Sequence, residues 1–158
     1  KFDAMTALSV IEKYKVTIAV LVPTMLHRMV KIPAEVRASV DVSSLKCVYH
    51  TAAPCPVPVK EALIEWLGPV VYEMYGGSEG VGNTIINSQE WLEHKGSVGR
   101  PARGTEVHVL DEFGNECPPM MNGVVYLSSN QSRWVSGIIL SIVLTILLNL
   151  MLRGCNAW

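Results

Sequence analysis

The sequence predicts an α/β fold: a mostly parallel sheet with flanking helices, a short antiparallel hairpin and a final apolar helix. Runs of β-branched and aliphatic residues alternate with amphipathic segments, an order that favours right-handed crossovers between parallel strands. After Gly96 the apolar residues follow short alternating patterns, which predict antiparallel pairing. We therefore expect a globular domain over residues 1–127 and a divergent tail over residues 128–158.

The composition is typical of a folded domain or a part of one. The chain has 158 residues, of which 49% are apolar and 17% charged, and its formal net charge is −1. It is neither disordered nor polybasic, so nucleic acid is not an expected partner. Four cysteines without metal-ligand spacing predict reduced thiols in an intracellular protein, cytoplasmic or membrane-associated, and no signal peptide is visible.

The first elements are a helix, a strand and a second helix. Asp3 is placed to cap a helix that carries Leu8 and Ile11 on one face. The continuous apolar run Thr17–Val22 predicts a parallel strand buried on both faces. A helix over Thr24–Lys31 follows it.

The same order then repeats. After a linker, Leu45–His50 predicts a second strand and Val59–Leu67 the next helix. Val70–Met74 predicts a third strand, which runs directly into the glycine-rich segment Tyr75–Gly80. In a parallel sheet the carboxyl ends of the strands lie at one edge, so ligands are expected there.

The remaining patterns predict a hairpin and the tail. Thr105–Leu110 and Gly123–Leu127 alternate on either side of a turn at residues 111–115. The apolar stretch at residues 135–152 is about 27 Å long as a helix, close to the roughly 30 Å core of a bilayer. Membrane contact through this stretch is one interpretation, and a buried helix or sequence foreign to the native fold are the others.

The end of the third strand carries the most chemistry. Gly76 and Gly77 permit positive φ and a close approach of the backbone to a ligand. Tyr75 offers an aromatic face, Ser78 a hydroxyl for a phosphate oxygen and Glu79 a carboxylate for Mg²⁺. The segment therefore predicts nucleotide binding, with a tight turn and a solvated glutamate as the alternative.

The end of the second strand is small and rigid. Ala52 and Ala53 leave room for a flat ring or an acyl chain, and Pro54 fixes the turn. The same residues also suit simple packing at the start of a helix. His50 is a candidate general base, although a hydrogen-bonded core histidine is the more common role at such a position.

Five short segments, taken in order, resemble the adenylate-forming superfamily, and within it the AMP-forming acyl-CoA synthetases. They are Val20–Thr24, Asp41–Leu45, Ala52–Pro54, Tyr75–Glu79 and Gly96–Pro101. The resemblance covers residues 2–127 and implies a two-step reaction. A carboxylate attacks the α-phosphate of ATP to give an acyl-adenylate, and a thiol, usually coenzyme A, then displaces AMP. The implied ligands are ATP or AMP, Mg²⁺, coenzyme A and a carboxylic acid, here a medium- or long-chain fatty acid.

The resemblance also implies roles for the third strand end. In the family's Tyr-Gly-x-Thr-Glu segment the tyrosine lies beside the adenine, the threonine contacts the AMP phosphate and the glutamate binds Mg²⁺. Tyr75, Gly76, Ser78 and Glu79 match that segment, with serine in place of threonine, and Gly77 belongs to it as a cofactor-binding residue. Ser78 and Glu79 are thus the implied catalytic residues, and Glu79 is the implied metal ligand.

The second strand end resembles the family's Gly/Ala-Ala-Pro segment, which lies near the adenine and the acyl pocket. The matching cofactor-binding residues are Thr51, Ala52, Ala53 and Pro54. Threonine stands where glycine is usual, and its branched side chain narrows the pocket or restricts the backbone.

Three parts of the family pattern have no counterpart in the 158 residues: the phosphate loop ending in Pro-Lys-Gly, the ribose-binding Thr-Gly-Asp segment and the small C-terminal domain with its catalytic lysine. Losing one preorganised charge-stabilising group costs on the order of 10²- to 10³-fold in rate, so this chain alone is expected to be inactive. We expect a fragment of a synthetase whose exposed sheet edges promote self-association. The alternatives are a noncatalytic, membrane-anchored nucleotide-binding module and a small α/β domain without a ligand.

Overall fold

The computed structural model describes residues 1–77 and 82–129. These residues form two compact units, the first made of residues 1–74 and 86–95, the second of residues 75–85 and the described residues from 96 onward. In chain order the elements are α1 (Ala4–Tyr14), β1 (Ile18–Leu21), α2 (Pro23–Val30), α3 (Ala34–Ala38), β2 (Cys47–His50), α4 (Val57–Leu67), β3 (Val71–Gly76), β4 (Asn83–Ile86), α5 (Ser88–Glu93), β5 (Arg100–Pro101), β6 (Thr105–Leu110) and β7 (Val124–Ser129).

A parallel sheet forms the framework of the first unit, as the sequence predicts. β1 and β2 run parallel with Leu21 opposite His50, and β2 and β3 run parallel with His50 opposite Glu73. The helices between the strands are the crossovers that parallel pairing requires. β2 and β3 therefore run in the same direction, and the segments that follow them begin at the same end of this strand pair.

The core of the first unit is built from apolar side chains that the strands and helices turn inward. Val48 of β2 and Val71 of β3 are fully buried, and so are Leu8, Leu26 and Leu63 of the helices. Burying each such side chain stabilises the fold by about 1.5 to 3 kcal/mol. Polar groups fix the element ends: Asp3 accepts a hydrogen bond of 2.7 Å from the Thr6 amide, which confirms it as the cap of α1.

One burial prediction is wrong. The run at residues 17–22 is a strand, but β1 alternates exposed and partly buried residues, and Ile18 and Val20 are 61% and 67% exposed. Within the described residues β1 is an edge strand that pairs only with β2, so its outward side chains have no cover. That this edge promotes self-association stays a prediction.

The sequence patterns missed several short elements. The described strands form one five-stranded sheet in the order β1-β2-β3-β4-β5 and a separate two-stranded sheet, β6-β7. β5 has two residues and pairs antiparallel with β4, where Thr84 faces Pro101. Helices α3 and α5 lie in segments for which no element was predicted, and a capping box formed by Asn87 and Glu90 starts α5. Elements this short carry too few residues to show a period.

The predicted hairpin is confirmed in the second unit. β6 and β7 pair antiparallel from Thr105 opposite Ser129 to Leu110 opposite Val124. The turn between them begins at Asp111, whose carboxylate accepts hydrogen bonds from the amides of Phe113 and Asn115. Hydrogen bonds of this kind, from backbone amides to an aspartate side chain a few residues earlier, are typical of turns that begin with aspartate.

The predicted apolar helix at residues 135–152, with its proposed membrane contact, lies outside the described residues. In residues 1–77 and 82–129, no helix reaches the length and hydropathy that crossing a bilayer requires. The division at residue 127 likewise stays a prediction.

Candidate functional site

The turn after β2 presents small residues at the surface of the first unit. β2 ends at His50, and in the next four residues Ala52 and Ala53 are exposed while Thr51 and Pro54 are partly buried. Ala52 has a φ of +74°, the left-handed region that L-residues rarely adopt. Small, exposed residues are thus present at this strand end, while the room for a flat ring or an acyl chain stays a prediction.

We expect Ala52→Gly to stabilise the chain by about 1 kcal/mol, because glycine adopts positive φ without the clash of a Cβ. The measurement is urea unfolding at pH 7. Ala53→Gly is the matched control, since Ala53 does not have positive φ and glycine there only adds freedom to the unfolded chain. It should destabilise by about 0.5 to 1 kcal/mol. Equal effects at the two positions would contradict the interpretation of Ala52 as strained.

The described part of the third strand end, Tyr75–Gly77, belongs to the second unit. Tyr75 is partly buried, and this burial raises the pKa of its phenol. A Cβ at Gly76 would lie 2.7 Å from the carbonyl oxygen of Gly82 and 2.8 Å from the Cβ of Asn83. The backbone of this unit therefore passes so closely at Gly76 that only glycine fits. The close neighbour is the chain's own segment at Gly82 and Asn83, so the predicted approach of the backbone to a ligand stays a prediction.

Ser78 and Glu79 lie outside the described residues. The hydroxyl for a phosphate oxygen and the carboxylate for Mg²⁺ therefore stay predictions. In the part of the chain that the structure describes, no group of three or more His, Cys, Asp or Glu residues is arranged to hold a metal ion.

A buried polar cluster that the sequence patterns did not predict lies in the first unit. It consists of His50, Lys60, Glu73 and Trp91. Lys60 of α4 is fully buried, and its Nζ donates a 2.6 Å hydrogen bond to Oε2 of Glu73 on β3, which is 6% exposed. The same ammonium lies 4.7 Å from the ring centroid of Trp91. The opposite charge and the aromatic face together offset part of the cost of burying the ammonium.

His50 completes this cluster without a hydrogen bond. Its ring is fully buried, its Nε2 lies 3.6 Å from Oε2 of Glu73, and neither ring nitrogen has a hydrogen-bond partner among the described residues. The predicted core position is confirmed, but the hydrogen bonding expected of such a histidine is absent. An enclosed, unpartnered imidazole is a costly feature.

Burial dominates the electrostatics of the cluster. Desolvation lowers the pKa of His50 to about 3, with the positive charge of Lys60 adding to the effect, so the imidazole is neutral at pH 7. Burial also lowers the pKa of Lys60 and raises that of Glu73, and the contact between the two opposes both shifts. Cys55, on the turn before α4, has its thiol pKa raised to about 11 by burial. It is therefore an unreactive thiol at neutral pH.

Two sequence signals for the cluster were present. Lys60 lies three and four residues before Leu63 and Ile64, so it shares the buried face of α4. Glu73 lies two residues after Val71, on the buried face of β3. A charged residue at a core position in each of two neighbouring elements indicates a buried ion pair.

Parallel strands joined by helices define an α/β fold, the class in which ligands generally bind at the carboxyl ends of the strands. The chain belongs to the family of AMP-binding enzymes, whose match covers residues 1–133.

Two curated relatives match most of this chain. The medium/long-chain fatty-acid–CoA ligase FadD8 of Mycobacterium tuberculosis is 34% identical over 128 residues, which are 79% of this chain and 21% of that protein. Acyl-CoA synthetase 7 of Caenorhabditis elegans is 34% identical over 132 residues, which are 83% of this chain and 24% of that protein. The chain thus spans about a quarter or less of the length of these relatives.

Solved structures give the same fold. The amide bond synthetase McbA of Marinactinospora thermotolerans has a TM-score of 0.73 and 28% identity, over 82% of this chain and 26% of that one. The O-succinylbenzoate coenzyme A synthetase of Bacillus subtilis in complex with ATP and magnesium has a TM-score of 0.69, again over 82% of this chain and 26% of that one; at 23% identity it supports the fold alone.

Proposed function

We propose that the chain is part of an AMP-forming acyl-CoA synthetase that activates a medium- or long-chain fatty acid with ATP and transfers the acyl group to coenzyme A. The observation that carries the proposal is that relatives at 34% identity are named as CoA ligases or acyl-CoA synthetases. These names favour a ligase over a noncatalytic, membrane-anchored module.

Each strand end has its own role in this proposal. The Tyr75 ring stacks on the adenine, which agrees with its partly buried position. The turn at Thr51–Pro54 lies against the adenine and the acyl chain, and its exposed small residues leave space for both. Ser78 contacts the AMP phosphate and Glu79 binds Mg²⁺; these two roles rest on the sequence alone.

The chemistry of this reaction depends on positioning and charge stabilisation more than on a protein nucleophile. Mg²⁺, when bound, neutralises charge on the phosphates during displacement of pyrophosphate. The residues of this chain bind and orient the nucleotide and the acid. Because the phosphate loop and the catalytic lysine have no counterpart in the 158 residues, we propose that the chain alone is catalytically inactive.

Calorimetry of the purified chain with AMP, and with the acyl-adenylate analogue dodecanoyl sulfamoyl adenosine, tests the proposal. We expect saturable binding that Tyr75→Ala weakens by about 1 to 3 kcal/mol, the usual contribution of stacking on a base. Tyr14→Ala is the matched control, since this tyrosine is exposed on α1. ATP–pyrophosphate exchange should stay at background. Absence of binding, or equal binding by the Tyr75 variant, would refute the nucleotide assignment, and measurable exchange would refute the inactivity.

A further inference from the structure

Several energetically costly features of the first unit lie around the turn after β2. Ala52 holds a positive φ, His50 has an unpartnered buried imidazole, and Lys60 and Glu73 are buried charges. Each opposes folding: the positive φ through backbone strain, the imidazole through lost hydrogen bonds and the two charges through lost solvation. Costs concentrated in one place are typical of functional sites.

The buried groups lie on both sides of the same turn along the chain. His50 is the last residue of β2 and directly precedes Thr51, while Lys60 lies near the start of α4, which begins after the turn. Both contact one oxygen, Oε2 of Glu73, at 3.6 Å for His50 Nε2 and 2.6 Å for Lys60 Nζ. Glu73 on β3 is therefore hydrogen-bonded to the helix that follows the Thr51–Pro54 turn and lies beside the histidine that precedes it.

Apolar side chains would fill this space at lower cost. A buried ion pair can usually be replaced by well-packed apolar residues without loss of stability, because the charges must first be desolvated. A directed, charge-assisted hydrogen bond of 2.6 Å fixes position more strictly than apolar contact does. The ion pair thus restricts the positions of Lys60 and Glu73, and its contribution to the stability of the fold does not by itself explain why charged residues stand there.

We propose that the Lys60–Glu73 ion pair is a positioning element that holds the Thr51–Pro54 turn, and with it the positive φ of Ala52, in the conformation that receives an acyl-adenylate. The role of the turn as a receptor for that ligand rests on the proposed function. The other part of the proposal, called the mechanical part below, is that the ion pair holds Ala52 in its strained conformation. This part does not depend on the proposed function.

A double-mutant cycle tests the mechanical part without any ligand. Ala52→Gly is made in the parent chain and in the variant Lys60→Met with Glu73→Leu, and unfolding in urea is measured at pH 7. In the parent, relief of strain should raise the folding equilibrium constant about fivefold. In the apolar variant the turn relaxes, so the same substitution should give no increase.

Additive effects in this cycle would overturn the proposal, because the strain at Ala52 would then not depend on the pair. The matched control replaces the exposed ion pair between Lys95 and Glu61 of α4 by Lys95→Met with Glu61→Leu, where Ala52→Gly should keep its full effect. If the buried apolar variant does not fold, Glu73→Gln takes its place in the cycle. A reduced gain from Ala52→Gly supports the proposal in that background, and a full fivefold gain overturns it.

Measuring the affinity for dodecanoyl sulfamoyl adenosine distinguishes a failure of this proposal from a failure of the proposed function. The folded Lys60→Met/Glu73→Leu variant should bind it about tenfold more weakly than the parent, while the Lys95/Glu61 control binds as the parent does. Unchanged affinity in the buried variant would overturn the positioning role. If the parent itself binds neither the analogue nor AMP, the proposed function fails, and the cycle still decides whether the pair holds the turn.

Discussion

Lys60→Met alone is expected to lower the free energy of unfolding by about 3 to 5 kcal/mol, a large part of the roughly 5 to 15 kcal/mol typical of a domain. The substitution removes the only cation that contacts the Glu73 carboxylate among the described residues. Glu73 must then stay ionised in an apolar environment or take up a proton, and both cost free energy at neutral pH. Urea unfolding at pH 7 provides the measurement.

The expected loss has two internal checks. Lys95→Met removes the cation of an exposed ion pair with Glu61, the residue after Lys60 in α4. This substitution should lower the free energy of unfolding by no more than about 1 kcal/mol. Because the unpaired Glu73 takes up a proton more readily at low pH, the destabilisation by Lys60→Met should also be smaller at pH 5.5 than at pH 7.5. A loss as small as that of Lys95→Met would show that the Glu73 carboxylate is not buried as the structure has it.

The second large effect is a loss of stability in mild acid that originates at His50. The pKa of the buried imidazole is about 3, against about 6.5 in an unfolded chain. Between these values the unfolded state binds the additional proton, so stability is complete above pH 6.5 and is lost as the pH falls. At pH 5 this single group should lower the free energy of unfolding by about 2 kcal/mol relative to pH 8.

His50→Leu should remove most of that acid-dependent loss, because leucine fills a similar volume and does not titrate. The neighbouring groups are Lys60, whose positive charge disfavours a second cation, and Glu73, whose raised pKa acts with the opposite sign. Lys60 and Glu73 both remain in the His50→Leu variant. The difference between the pH profiles of the variant and the parent therefore results from removing His50. The exposed His27→Leu serves as control and should follow the parent profile.

The pH window for this comparison ends at pH 5. Hydrogen bonds hold the pKa values of Asp3, Asp41 and Asp111 below the usual range, so protonation of these carboxyls destabilises the fold only in stronger acid. If His50→Leu and the parent lose stability equally between pH 8 and pH 5, the imidazole is not enclosed.

The parallel strands and their helices were predictable because the hydrophobic pattern of each extends over several residues. The apolar run before Pro23, the predicted strand Val70–Met74 and the helical period over Val59–Leu67 each extend over several residues, and a proline or a glycine follows directly or after one residue. The hairpin was predictable for the same reason, since Thr105–Leu110 alternates over six residues. Elements of two to six residues, such as β5 and α5, depend on their tertiary neighbours and show little in the sequence.

The burial of β1 was mispredicted because an apolar run shows that a strand avoids water in its native context, not which neighbours provide the cover. Within the described residues Ile18 and Val20 have none. Candidate site residues were predicted where a family pattern exists, at Thr51–Pro54 and Tyr75–Glu79, and their roles stay predictions. Lys60 and Glu73 were missed because a single charged residue in an apolar pattern is usually solvated, and their pairing depends on the register of β2, β3 and α4.

The contact between the Lys60 ammonium and the Trp91 ring makes the fluorescence of this tryptophan a probe of the buried ion pair. The indole is 1% exposed and lies 4.7 Å from Lys60 Nζ, so its emission responds to the charge of that side chain and to entry of water. Subtracting the spectrum of a Trp91→Phe variant isolates this signal from the three other tryptophans of the chain. The state of the buried ion pair can thereby be followed by light in an unlabelled sample.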